Sequence, residues 1–186
     1  NATVINIGGI ANITSSCDDN KMSGTDIGPG MCLIDRWMRQ RSKKNYDENG
    51  IISKSGKVNK KALNLLIENF YKKENNLKKE IIQSFDTKYF DFSFIENLSL
   101  EDGAATLMEF TAKVIIFALK SRKKFKDRII LCGGGRKNSF LVEKLKKENS
   151  NIQLIDQFGI DGDFVESQAF GYLAIRSYLK LPISFP

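Results

Sequence analysis

Two short runs of apolar and β-branched residues, Thr3 to Ile7 and Ile10 to Thr14, open the chain and are parted by Gly8-Gly9. Strand-like runs joined by a two-glycine turn predict a β-hairpin with a primed turn. A third strand from Lys21 to Ile27 is expected to stop at Gly28-Pro29-Gly30, beyond which Leu33, Ile34, Trp37 and Met38 recur at helical spacing. The pattern is strand, tight turn, helix.

Between Val58 and Tyr71, Leu63, Leu66, Ile67 and Phe70 mark an amphipathic helix with Lys60, Lys61 and Glu68 on its other face. The stretch from Glu74 to Asn97 reads as short helices and loops. Ser99 followed by Glu101 and Asp102 has the form of a capped, acidic helix start, and that helix should reach about Arg122. A buried strand follows over Asp127 to Cys132, then Gly133-Gly134-Gly135, a helix with Phe140, Leu141 and Leu145 up to about Glu148, and a short strand over Ile152 to Ile155. The last helix runs from Phe164 to Leu179, with Val165, Ala169, Tyr172 and Leu173 on one face. Strands and helices that alternate after an opening hairpin indicate one α/β domain with a mixed sheet and flanking helices.

Length and composition fit that reading. The chain has 186 residues, 41% hydrophobic and 27% charged, and a domain of this size buries about 70% of its unfolded surface. No apolar run approaches the roughly 20 residues needed to cross a bilayer. A cytoplasmic protein without membrane contact is expected. The net charge of +7 raises the question of anionic partners. The lysines are nevertheless dispersed, and clusters such as Arg41-Ser42-Lys43-Lys44 and Lys120-Ser121-Arg122-Lys123-Lys124 fall where helices end, where cations complement the helix dipole. Nucleic acid is therefore not the expected partner.

Histidine is absent, which removes the commonest general base and most zinc sites. The cysteines Cys17, Cys32 and Cys132 form no CxxC pair and read as reduced structural thiols; no metal-ligand set is evident. Three glycine-rich turns after strands remain: Gly8-Gly9, Gly24 to Gly30 and Gly133 to Gly135. Glycine lets backbone N–H groups come close to a phosphate or base. None of these turns matches a P-loop or a dinucleotide fingerprint. Asp26, at a strand end among glycines, suits a general base or a metal-bound carboxylate, and equally a carboxylate bonded to its own turn. Asp35 reads as a surface or capping group.

At this point the residues resemble a known family. Asn6-Ile7-Gly8-Gly9-Ile10-Ala11-Asn12-Ile13-Thr14 is similar to the second phosphate-binding hairpin of anhydro-N-acetylmuramic acid kinases. Thr25-Asp26-Ile27-Gly28-Pro29-Gly30 is similar to the segment that carries that family's catalytic aspartate. Cys132-Gly133-Gly134-Gly135-Arg136-Lys137-Asn138 resembles its adenosine-binding motif. Gly162-Asp163, Glu166-Ser167-Gln168-Ala169-Phe170 and Leu181-Pro182 resemble its C-terminal helix and tail.

The resemblance implies the C-terminal lobe of an RNase H-like, actin-like ATPase fold, spanning residues 1–186 as a single lobe with the N-terminal lobe absent from the chain. It implies ATP-dependent phosphorylation of 1,6-anhydro-N-acetylmuramic acid with ring opening to N-acetylmuramic acid 6-phosphate, in peptidoglycan recycling and amino-sugar metabolism. By this resemblance Asp26 is the catalytic base, Gly8, Gly9, Asn12, Gly133, Gly134, Gly135 and Asn138 bind ATP with Mg2+, and Gly28 and Glu166 touch the sugar. Ile27 and Met31 stand where the family usually has Thr and Asn, and Gln83-Ser84-Phe85-Asp86-Thr87 where it carries Lys and Arg. The expected form is a truncated or split enzyme, inactive alone, that pairs with a separate N-terminal lobe or forms a homodimer. The alternative is a non-catalytic nucleotide-binding remnant.

Overall fold

The computed structural model describes residues 2–16, 22–78, 85, 87 and 90–183. Cys17, Lys21 and most of the Gln83 to Thr87 segment lie outside them, as do parts of the Glu74 to Asn97 stretch. The described strands are β1 (Ala2–Ile7), β2 (Ile10–Ser16), β3 (Met22–Pro29), β4 (Arg128–Cys132) and β5 (Ile152–Leu154). They form one sheet in the order β3-β2-β1-β4-β5. The hairpin partners pair antiparallel, while β1 with β4 and β4 with β5 pair parallel. The mixed sheet is as expected.

Helices α1 (Cys32–Arg41), α2 (Ile51–Ser55), α3 (Lys60–Lys78), α4 (Leu100–Ser121), α5 (Ser139–Glu148) and α6 (Val165–Tyr178) complete the domain. Helix α4 is its axis and packs on α1, α2, α3, α5 and β3. It forms where the sequence places it, for the expected reason: the Ser99 hydroxyl accepts the Asp102 N–H at 3.1 Å and so satisfies one of the free donors of the first turn. Trp37 of α1 is fully buried against it and donates its indole N–H to the Leu100 carbonyl at 2.9 Å. A Cβ on Gly103 would lie 2.3 Å from the Trp37 ring. Only glycine lets α4 accept that side chain.

Alternation along the strands divides the sheet into two faces. Ile5, Ile7, Ala11, Ile13, Ile129 and Leu131 are buried in the core. The opposite face carries Val4 and Ile130 and, towards the strand ends, a run of polar residues. Register places Asn6 between Asn12 on β2 and Cys132 on β4, and Asn12 in turn opposite Asp26 on β3. A row Asp26, Asn12, Asn6, Cys132 therefore crosses four strands on one face, because directly paired residues project to the same side.

Helix α2 was not expected, and α3 runs on to Lys78 beyond the expected Tyr71. Two further findings differ from the sequence reading. Neither Gly8 nor Gly9 is among the glycines with positive φ, so the hairpin turn is not primed. Its shape answers instead to the β3–α1 connection: the Gly9 carbonyl accepts the N–H groups of Gly30 and Cys32, at 2.9 and 3.2 Å, and the Gly8 carbonyl that of Met31 at 2.9 Å. The turn thereby satisfies the first N–H groups of α1. Secondly, α6 forms over the expected residues but has no buried residue, so the face drawn from Val165, Ala169, Tyr172 and Leu173 is not packed on this core.

Candidate functional site

A cleft of about 640 Å³ opens where three connections meet at the carboxyl ends of β1 and β4, the end at which ligands of open α/β sheets gather. The Gly8-Gly9 turn forms one wall and Gly134, Gly135 and Asn138 a second. Asp35 and Arg39 of α1 and the loop from Asn45 to Asn49 complete it.

The loop went unassigned in the sequence, yet it is tightly built. Asp47 is buried, with one carboxylate oxygen accepting the Ile52 N–H at 2.9 Å and the other the Ser53 N–H at 2.9 Å and the Ser53 hydroxyl at 2.6 Å. Its carbonyl accepts from the Asn138 side chain at 3.2 Å, and the Asn49 carbonyl from the Ser139 hydroxyl at 3.0 Å. The Asn49-Gly50 dipeptide, a strong turn former, was the available signal. Asn138 is itself buried, and its side chain also accepts the Leu141 N–H as the cap of α5. It acts here as a joint between two walls.

The glycines of the second wall have different reasons to be glycine. Gly133 has φ of +78°, and a Cβ there would meet the Asn6 amide oxygen at 2.2 Å. A Cβ on Gly135 would meet Ile7 at 2.3 Å. Gly134 would meet nothing within 4 Å. Packing thus demands glycine on either side, while the middle position faces open space where a side chain would fill the cleft. Gly28 belongs with the first group: its φ is +145°, and a Cβ would lie 2.6 Å from Val114 of α4.

Asp26 and Asn12 are not among the cleft's lining residues; they stand in the polar row on the adjoining face. The pairing steps from Ala11 opposite Gly28 to Asn12 opposite Asp26, leaving Ile27 as an extra residue in β3. This bulge sends the Ile27 side chain into the core and keeps Asp26 beside Asn12; bulges commonly re-aim side chains in this way near functional sites. The Asp26 Oδ2 accepts the Phe85 N–H at 3.0 Å. Glu166 lies on the first turn of α6 and is exposed.

Asp35 was read as a surface or capping group, and the structure gives it another environment. It is half-buried in the cleft wall, and its Oδ1 is fully buried without a hydrogen-bond partner among the described residues. Burial holds its carboxyl above the usual range, with Arg39 opposing. The thiols behave as expected of structural cysteines, since burial pushes Cys32 up to about 11 and Cys132 upward as well. Both remain protonated near neutral pH and are poor nucleophiles.

A buried guanidinium locks the second wall in place. Arg136 donates from Nε and a terminal nitrogen to both oxygens of Asp156, at 2.8 and 3.0 Å, and to Asp163 at 2.9 Å. The fork holds Asp156 down to about 2, while Lys137 and then Arg136 lower Asp163. A Cβ on Gly162 would strike the Arg136 Nε at 2.2 Å.

The family model for anhydro-N-acetylmuramic acid kinase matches residues 1–186. The chain belongs to this family. It is 47% identical over 194 residues to the anhydro-N-acetylmuramic acid kinase of Pelagibacter ubique, covering 100% of this chain and 51% of the relative. With that of Zymomonas mobilis it shares 36% identity over 185 residues, 98% of this chain and 49% of the relative. The chain spans about half the length of the curated relatives it matches.

Among solved structures, the activator of the 2-hydroxyisocaproyl-CoA dehydratase from Clostridium difficile, with bound ADPNP, is similar at a TM-score of 0.53 and 21% identity, over 83% of this chain and 54% of that one. This likeness supports the α/β fold with a mixed sheet. The cleft offers open space at Gly134 and glycine backbone on two walls, features that suit the anionic part of a nucleotide. Among the described residues no three potential ligands cluster to cage a metal. Among the same residues no helix is long and apolar enough to cross a membrane.

Proposed function

We propose that the full-length protein phosphorylates 1,6-anhydro-N-acetylmuramic acid with ATP and opens the anhydro ring to give N-acetylmuramic acid 6-phosphate, in cytoplasmic recycling of the cell wall. The family match across all residues of the chain carries this reading. Asp26 serves as general base: it takes a proton from water as the water oxygen bonds to the anomeric carbon, the bridging C–O bond breaks, and the freed 6-oxygen receives the γ-phosphoryl group. ATP would supply that group and leave as ADP as its β–γ bridging bond breaks, and Mg2+, when bound, would neutralise the phosphate charge.

The Asp26 backbone is fixed by ladder pairing to Asn12, and its Oδ2 is held by the Phe85 N–H. Placement of this kind contributes to catalysis by avoiding reorganisation at the moment of reaction. Gly8, Gly9 and Gly134 offer backbone to the nucleotide, Asn12 lies beside the base, and Gly28 and Glu166 are assigned to the sugar side.

The other half of the relatives' length is proposed to be the partner lobe that closes the site. Helix α6 and its flanks support this, since Phe164, Phe170, Tyr172 and Ile175 are all more than half exposed. Large apolar side chains exposed together along one helix are the mark of a contact site. Mass-spectrometric assay for the 6-phosphate, with the 186 residues alone and with a family N-terminal lobe added, tests the proposal. Product only with both lobes supports it. Product from neither, with nucleotide still bound, leaves the non-catalytic remnant.

A further inference from the structure

Tyr46 lines the same cleft as Gly8, Gly9, Gly134 and Gly135 and is 58% exposed. Its neighbours along the chain are fixed. The Asn45 carbonyl accepts from the Arg39 guanidinium at 3.3 Å, and the buried Asp47 carboxylate is bonded to Ile52 and Ser53 of α2. Asn49 and Gly50 then turn the chain with φ of +52° and +71°, and a Cβ on Gly50 would strike Phe140 at 2.5 Å. The loop is thus held on both sides of a ring that makes no ring contact of its own among the described residues. Aromatic surface left open to water in a cleft is surface that a ligand can bury.

We propose that Tyr46 is a ligand-binding residue whose ring stacks on the nucleobase of the nucleotide that enters the cleft. Every base has a π-face, and stacking on an aromatic ring requires no particular hydrogen-bond pattern. The loop side of the cleft suits this uncharged part of the ligand. Asp35 and Glu48 bring carboxylates to that side against the guanidinium of Arg39, whereas the backbone N–H groups of the glycine turns suit the phosphates. The sugar belongs on the adjoining face, since Asp26 and Asn12 do not line this cavity. The proposal rests on the kinase reading above.

The experiment uses full-length protein with Tyr46→Ala, Tyr46→Leu, Tyr46→Phe and Tyr46→Trp. Without ligand, Tm should barely move, because the ring is exposed and packs on no other ring. Calorimetric affinity for ATP should fall about fivefold to a hundredfold in Tyr46→Ala. It should fall nearly as far in Tyr46→Leu, which has apolar bulk but no π-face, and little in Tyr46→Phe. Affinity for the anhydro sugar should be the same in all. In Tyr46→Trp, ATP should change the fluorescence of the added indole, measured against the unaltered protein with Trp37 alone, while inorganic tripolyphosphate, which carries no base, should not. Unchanged ATP affinity in Tyr46→Ala overturns the proposal. So does full retention in Tyr46→Leu, a penalty confined to the sugar, or an equal fluorescence response to tripolyphosphate, and in each case the kinase reading stands. If the unaltered protein binds neither ATP nor the sugar, the kinase reading fails and this proposal with it.

Discussion

Asn12 on β2 stands directly opposite Asp26 on β3, one residue past the bulge at Ile27. Their side chains share a sheet face with Asn6, whose amide oxygen is the atom a Cβ on Gly133 would meet. The base assigned by resemblance and the glycine turn assigned to the nucleotide are thus linked through two neighbouring asparagines, Asn12 and Asn6.

For Asp26 this predicts a change in rate without a change in shape. Asp26→Asn in the full-length protein can still accept the Phe85 N–H but cannot take a proton from water. Turnover should fall about 100-fold or more with ATP affinity nearly unchanged. Steady-state kinetics beside nucleotide titration checks this, and ordinary turnover would remove Asp26 from the mechanism.

The glycine triplet predicts opposite outcomes at neighbouring positions. Gly134→Val should leave Tm within a few degrees of the unaltered protein yet abolish nucleotide-induced shifts in an NMR spectrum, because its side chain projects into open space. Gly135→Val should overpack Ile7 and cost about 1–3 kcal/mol in urea unfolding. Equal damage at both positions would reduce the triplet to a turn with no binding role.

Gly103→Ala probes the packing of α4 on α1. The added methyl would sit 2.3 Å from the fully buried Trp37 ring, so one of them must shift, at a cost of about 1–3 kcal/mol. Loss of near-ultraviolet circular dichroism from Trp37 together with a lower urea midpoint is the expected result. An unchanged midpoint would show that the helices slide apart freely.

The Arg136 fork predicts acid sensitivity of a definite sign. Asp156 is held near 2 in the folded protein, below its unfolded value of about 3.9. Its contribution is therefore complete above about pH 4 and is lost as pH falls towards 2. Asp163, also lowered, adds in the same direction. Both carboxylates are 45% exposed, and solvent screening reduces the effect. Arg136→Met should lower Tm at pH 7 by roughly 3–6 °C and flatten the fall between pH 4 and 2. An equally steep acid limb in the variant would place the sensitivity elsewhere.

Hydrophobic periodicity, turn residues and caps were enough to place nearly every strand and helix, because those signals act within a few residues of the backbone. Ser99 starts α4 whatever lies around it, and Gly8-Gly9 closes a hairpin. The family motifs, likewise contiguous, were legible before any packing was known. Contacts distant in sequence decided the rest. The primed turn failed because N–H groups of Gly30 to Cys32 claim the turn carbonyls, a demand invisible in the dipeptide. Asp35 proves to be a half-buried cleft carboxylate that shares its cavity with the loop from Asn45 to Asn49, a segment ten residues further along the chain. Gly133, Gly134 and Gly135 look alike in sequence, yet Asn6 and Ile7 from β1 make two of them packing requirements and leave the third to the cleft. Local free-energy preferences are written along the chain, whereas burial, orphaned charge and steric exclusion arise only when distant segments compete for the same space.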